Sequence, residues 1–158
     1  MVTQEQIWQW LESVSDPEVP VLSILDLGIV RDVLVSEARR AEIKITPTYS
    51  GCPAMGAISL AIKMELLSRG LEEVVVTEVL SPAWTTDWMT ETGKQKLREY
   101  GITPPQYRSD AQPMEHVVPC PICQSTDTRL ISQFGSTSCK ALYQCRECLE
   151  PFDYFKCH

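Results

Sequence analysis

Ile7, Trp10, Leu11 and Val14 recur at intervals of three and four, which puts them on one face of a helix spanning Thr3 to Val14. Thr3 is placed to cap it, and Gln6 three residues on completes a capping box. Asp16-Pro17 ends the run, because a residue before proline avoids the helical region. Beyond it the period changes. Ile29–Val35 and Ala41–Thr46 read as strands, joined by a polar connection of hairpin length at residues 36–40. Ile43 and Ile45 alternate with Glu42 and Lys44, as in a sheet with one wet face.

Pro47 through Cys52 reads as a loop, and Pro53 suits the first turn of a helix, where its missing N–H costs nothing. Ile58, Ile62, Glu65 and Leu66 keep helical spacing to about Arg69, and Gly70 is a natural stop. Glu73–Leu80 is rich in valine and reads as a strand, so strand, helix and strand form a right-handed parallel crossover. Thr90–Tyr100 reads as a last helix, ended by Gly101. The expected architecture is α+β: a small α-β-β-α-β-α domain over residues 1–103, followed by a C-terminal β zinc ribbon over 117–158. Prolines 104, 105, 113, 119 and 121 crowd the junction, and 104–116 reads as a linker.

Composition narrows the functional classes. A chain of 158 residues, 44% apolar and 22% charged, is rich enough for a buried core. No apolar run approaches the roughly 18 residues needed to span a bilayer, and the first residues lack the pattern of a secretory signal, so a cytoplasmic protein without membrane association is expected. Net charge is −7. The first 105 residues carry 9 basic and 15 acidic side chains, and the rest carry 5 and 6. Neither part offers the basic stripe that phosphate backbones require, so nucleic acid is not an expected partner.

Six of the seven cysteines lie beyond residue 119. Their odd total and their C-x-x-C pairing argue for metal rather than disulfides. Cys120-Pro121-Ile122-Cys123 is followed, after 21 residues, by Cys145-Arg146-Glu147-Cys148. A two-residue gap lets both sulfurs of a pair face one tetrahedral ion, and four thiolates suit a structural Zn²⁺. Three β-like runs (128–134, 141–144 and 152–155) fit around these knuckles. About 40 residues bury too little core to fold alone, so the metal supplies much of the folding free energy. Cys139, Cys157 and His158 are spare potential ligands.

Cys52 stands alone in the first domain, just ahead of a helix. Unpaired N–H groups and the positive dipole end favour a thiolate there, the reactive and metal-binding form. The plain alternative is a buried cysteine without chemistry. Neither histidine, His116 or His158, lies in this domain, so a Cys-His hydrolase is poorly supported. Asp16-Pro17-Glu18 and Asp26-Leu27-Gly28 bring carboxylates into play, although Asp16 can equally cap a turn and Glu18 can stay solvated. Trp84-Thr85-Thr86-Asp87-Trp88 forms an aromatic-polar cluster that is either core or a docking surface.

Several of these segments carry a resemblance. Asp16-Pro17-Glu18, Asp26-Leu27-Gly28-Ile29-Val30 and the stretch from Thr48 through Cys52-Pro53 resemble the SufT-like iron–sulfur assembly domain family. With Ser81–Met89 and Phe134–Leu142 added, nearly the whole chain is similar to a family from bacterial phenylacetate degradation that joins such a domain to a zinc ribbon. The resemblance implies association with the multicomponent phenylacetyl-CoA epoxidase. There a diiron oxygenase performs the O₂ chemistry, and a reductase with flavin and a plant-type iron–sulfur centre supplies electrons from NADPH.

The residues exclude two of those roles. No Glu-x-x-His motif is present, as a diiron bundle needs, and no G-x-G-x-x-G dinucleotide fingerprint occurs. The expected role is therefore that of an accessory protein without catalytic activity of its own. Cys52 would contact iron or a cluster in transit, Asp16 and Glu18 would shape or complete its pocket, and the ribbon would dock the recipient, the reductase subunit. One cysteine per chain implies a homodimer or a ligand from the partner. The rivals are a structural subunit that also holds the oxygenase subunits, a thiol-redox enzyme lacking a nearby resolving cysteine, and a nucleic-acid-binding ribbon.

Overall fold

The computed structural model describes residues 1–49, 51–106 and 117–156. Contacts divide it into two compact units, one of Met1–Trp84 with Trp88–Thr90, the other of Thr85–Asp87 with the chain from Glu91 onward. Among the described residues no helix is long and apolar enough to cross a membrane.

In the first unit, α1 spans Gln4–Leu11. The expected capping box is present: the Gln6 N–H donates to Thr3 Oγ1 at 3.2 Å, and the Thr3 N–H donates to Gln6 Oε1 at 2.9 Å. Ile7 and Leu11 are fully buried. Next comes α2, Ile24–Leu27, which periodicity does not reveal because four residues are too few to show a period. Its ends are nevertheless marked: Ser23 and Asp26 form a second capping box, and Gly28 closes the helix with φ +72°. β1 (Val30–Ser36) and β2 (Arg40–Ile45) pair antiparallel, with Val33 opposite Ile43, both fully buried. α3 (Ala54–Ser68) then returns the chain to β3 (Glu73–Glu78), which lies parallel to β2, as expected of the crossover. The sheet order is β1-β2-β3. Met55, Ile58, Ile62 and Leu66 form the buried face of α3.

Gly28 permits a close approach that no other residue allows. A Cβ there would overlap the Trp88 carbonyl oxygen and come within 2.9 Å of the Trp88 carbonyl carbon and Cβ. Around that contact the Trp84 indole N–H donates to the Leu27 carbonyl at 2.8 Å, and the Thr90 N–H donates to the Asp26 carbonyl at 2.9 Å. The Arg31 guanidinium lies 3.7 Å from the centre of the Trp88 ring, within cation–π range. Trp84 is thus core, only 5% exposed.

The second unit holds α4 (Glu91–Tyr100) and β4 (Ile102–Thr103), followed by β5 (Thr128–Ser132), β6 (Lys140–Cys145) and β7 (Pro151–Phe155). The sheet order is β4-β7-β6-β5, with β4 parallel to β7 and the other pairs antiparallel. Sequence pattern alone assigns α4 to the first domain and passes over β4, a two-residue strand too short to alternate; contacts group both with the ribbon. Most of the expected linker, 104–116, lies outside the described residues, as do His116, Cys157 and His158.

Candidate functional site

Four thiols converge in the second unit. The sulfurs of Cys120, Cys123, Cys145 and Cys148 all lie within 4.8 Å of one another. Cys120 and Cys148 are 3.7 Å apart, and Cys123 and Cys145 are 3.5 Å apart. A tetrahedron with Zn–S bonds near 2.3 Å has edges of about 3.8 Å, so the quartet fits such an ion.

Two matching knuckles build this geometry. The Cys120 N–H donates to the Ser125 carbonyl at 2.8 Å, and the Cys145 N–H donates to the Glu150 carbonyl at 3.1 Å, five residues on in each case. The residue after each pair turns left-handed, Gln124 at φ +66° and Leu149 at φ +64°. Neither is glycine, so each knuckle holds a non-glycine residue in a costly conformation. The Ile122 N–H points at Cys120 Sγ at 3.4 Å, the amide-to-thiolate bond a knuckle provides. Val118, Phe152 and Tyr154 are buried with Cys120 and Cys145, and Tyr143 stacks on Phe152 at 6.0 Å and meets Tyr154 edge-on at 5.7 Å. Thr103 and Thr128 pin the approach to the first knuckle by donating to the carbonyls of Pro119 and Val118.

The thiols do not ionise alike. Backbone N–H groups of Cys148 and then Glu147 draw the Cys145 thiol down to about 7. For Cys148 the Glu150 N–H favours the thiolate, but burial and the thiols of Cys145, Cys120 and Cys123 outweigh it and push the group up to about 12. A cation bound at such close quarters favours the thiolate form. By spacing and donor type this quartet could hold one metal ion.

Cys139 is not part of it. Its buried sulfur lies 3.0 Å from Thr137 Oγ1.

The other expected site residues lie in the first unit. Cys52 is half-buried with a free thiol. It immediately precedes Pro53, which heads α3 without a side-chain cap. Its N–H donates to the Tyr49 carbonyl at 3.2 Å, and its carbonyl accepts from the Met55 N–H at 3.3 Å. Asp16 is 8% exposed, and its Oδ1 accepts the N–H groups of Glu18 at 2.6 Å and Val19 at 3.2 Å, so it organises a turn. Glu18 is half-buried. Among the described residues the four-cysteine quartet is the one group of three or more close potential ligands, and Cys52, Asp16 and Glu18 do not assemble a second. Thr46 carries no signal in the sequence: it is 1% exposed, its hydroxyl has no partner among the described residues, and nothing at the end of a strand announces that.

An α+β domain with a thiol at the head of its main helix, followed in the chain by a four-cysteine ribbon, defines a two-module protein with one candidate metal centre. Residues 4–81 match the family described as iron-sulfur cluster assembly protein, and residues 104–156 match the PaaD zinc beta ribbon domain. Over 152 residues, 96% of this chain and 92% of the other, the sequence is 51% identical to an Escherichia coli (strain K12) protein provisionally named as a subunit of 1,2-phenylacetyl-CoA epoxidase. The chain belongs to the PaaD family. Over 97 residues, 60% of this chain and 92% of the other, it is 39% identical to Fe-S protein maturation auxiliary factor YitW of Bacillus subtilis (strain 168). The crystal structure of a domain of unknown function, DUF59, from Bacillus anthracis superposes with a TM-score of 0.56 at 33% identity, covering 60% of this chain and 90% of that one.

Proposed function

We propose that this chain is an accessory protein of the phenylacetyl-CoA epoxidase system, acting in the cytoplasm to mature or deliver the iron–sulfur cluster of the reductase subunit. It has no catalytic activity of its own. The observation that carries this reading is Cys52: a half-buried free thiol at an uncapped helix start, outside the metal quartet, in a domain whose relatives include an Fe-S protein maturation factor. The cluster is cargo rather than a resident group. Cys52 supplies one sulfur to it, and the other ligands come from the recipient or from a second copy of the chain. Asp16 holds the turn that presents Glu18, which faces the cargo. The ribbon quartet keeps a zinc ion permanently, fixing the surface that docks the reductase.

The test is to purify the reductase made with this protein, without it, and with Cys52→Ser. Iron analysis and visible absorption then report cluster occupancy. The Cys52→Ser chain should fold and keep its zinc, while reductase occupancy falls toward the level seen without the protein. Full occupancy with that variant would refute the delivery role.

A second reading is favoured by the naming of the Escherichia coli relative as part of the epoxidase itself. A structural subunit would co-purify with the oxygenase at fixed stoichiometry, and the reductase would be fully loaded in its absence.

A further inference from the structure

A cavity of about 210 Å³ in the first unit is lined, among the described residues, by uncharged side chains. Pro47, Leu80, Ala83 and Trp84 give it apolar and aromatic surface, while Thr46, Thr48 and Tyr49 bring hydroxyl groups. Thr46 Oγ1 is buried and lacks a hydrogen-bond partner among the described residues. Its backbone is already committed, since the Thr46 N–H donates to the Ile29 carbonyl at 2.8 Å. The Trp84 indole N–H is spent on Leu27, so its ring serves as wall. A buried hydroxyl without a partner is a standing cost, and a ligand atom that pairs with it recovers that cost. Oγ1 itself is buried, so pairing with a ligand in the cavity that Thr46 lines requires a change of χ1 rotamer. An apolar cavity of roughly 150 Å³ holds benzene, so the space here suits one ring with a small substituent. The absence of a charged lining side chain among the described residues disfavours carboxylates and amines.

We propose that this cavity binds a small uncharged aromatic molecule, its ring against Trp84 and Pro47 and its substituent hydrogen-bonded to Thr46 Oγ1. The site is independent of the role given to Cys52.

The experiment titrates the full metal-loaded chain with phenol and, separately, with benzene, followed by heteronuclear NMR. Saturable shifts are expected at Thr46, Thr48, Ala83 and the Trp84 indole, with phenol binding roughly tenfold tighter than benzene. Thr46→Val should bring phenol to the level of benzene and leave benzene unchanged. Ala83→Trp, at the exposed rim, should abolish both. The proposal is overturned by an absence of saturable shifts at these residues, as when the cavity holds water only. A phenol advantage that survives Thr46→Val overturns it equally. Should Thr46→Val not fold, Ala83→Trp decides, and phenol shifts that persist in it reject the site.

Discussion

Replacing Gly28 with alanine separates architecture from chemistry in the Asp26-Leu27-Gly28 segment. Gly28 sits at φ +72°, and an alanine pays roughly 1–2 kcal/mol to adopt that conformation. The new Cβ also collides with the Trp88 carbonyl, whose backbone must retreat by about 1 Å to restore van der Waals separation. Retreat strains the bonds that hold this contact: Thr90 N–H to the Asp26 carbonyl at 2.9 Å, Thr90 Oγ1 to Asp26 Oδ1 at 3.3 Å, and the Trp84 indole to the Leu27 carbonyl at 2.8 Å. Losing one of them costs about 0.5–1.5 kcal/mol, so the variant should be destabilised by about 1.5–3.5 kcal/mol.

Urea denaturation followed by tryptophan fluorescence and circular dichroism measures this. Metal content is the control and should not change, because the quartet lies in the other unit. A loss below about 0.5 kcal/mol would show that the chain relaxes around the methyl group, and would refute the close-approach argument. Trp84→Phe supplies a second arm. It removes the indole donor from the same contact, so its cost and that of Gly28→Ala should be less than additive in the double variant. Full additivity would mean that the two residues do not share one contact.

Cys145→Ser should reduce bound metal from stoichiometric to near zero by elemental analysis and disorder β5–β7, while the first unit keeps its circular dichroism; retained metal would mean the ligand set is wrong. Metal affinity should rise with pH, because Cys148, pushed up to about 12, must give up its proton to bind. Below about 7 Cys145 is protonated as well, so affinity should fall more steeply there; competition with a chromophoric chelator at about pH 6 and about pH 8 measures this, and a flat profile would exclude proton release. Thr46→Val should raise stability by about 1 kcal/mol in urea, since it deletes a buried hydroxyl without a partner among the described residues and keeps the shape; a loss of stability would reveal a partner for that hydroxyl.

Much of the fold was legible because local rules and tertiary demands agreed. Ile43 and Ile45 alternate inward, and Thr3 with Gln6 caps α1 as written. The paired C-x-x-C spacing pointed to the four thiols that the fold brings within 4.8 Å of one another. Periodicity failed where it had too little to work with. α2 and β4 are too short to show one. The left-handed turns at Gln124 and Leu149 were also invisible, because neither residue type signals that conformation.

The residues that carry the family resemblance divide into two kinds once their contacts are known. Asp26 caps α2, Gly28 admits the Trp88 backbone, and Trp84 gives its one donor to Leu27: each has a structural duty that accounts for its identity. Asp16 spends Oδ1 on two backbone amides of its own turn. A signature of this kind would persist in any descendant that kept the fold, whatever its chemistry. Cys52 differs, because no hydrogen bond to its sulfur is found among the described residues. Among the residues that carry the resemblance, the proposed delivery role therefore rests chiefly on this thiol. A Cys52→Ser chain with unaltered folding and metal but without its effect on cluster occupancy is the outcome that would tie the two together.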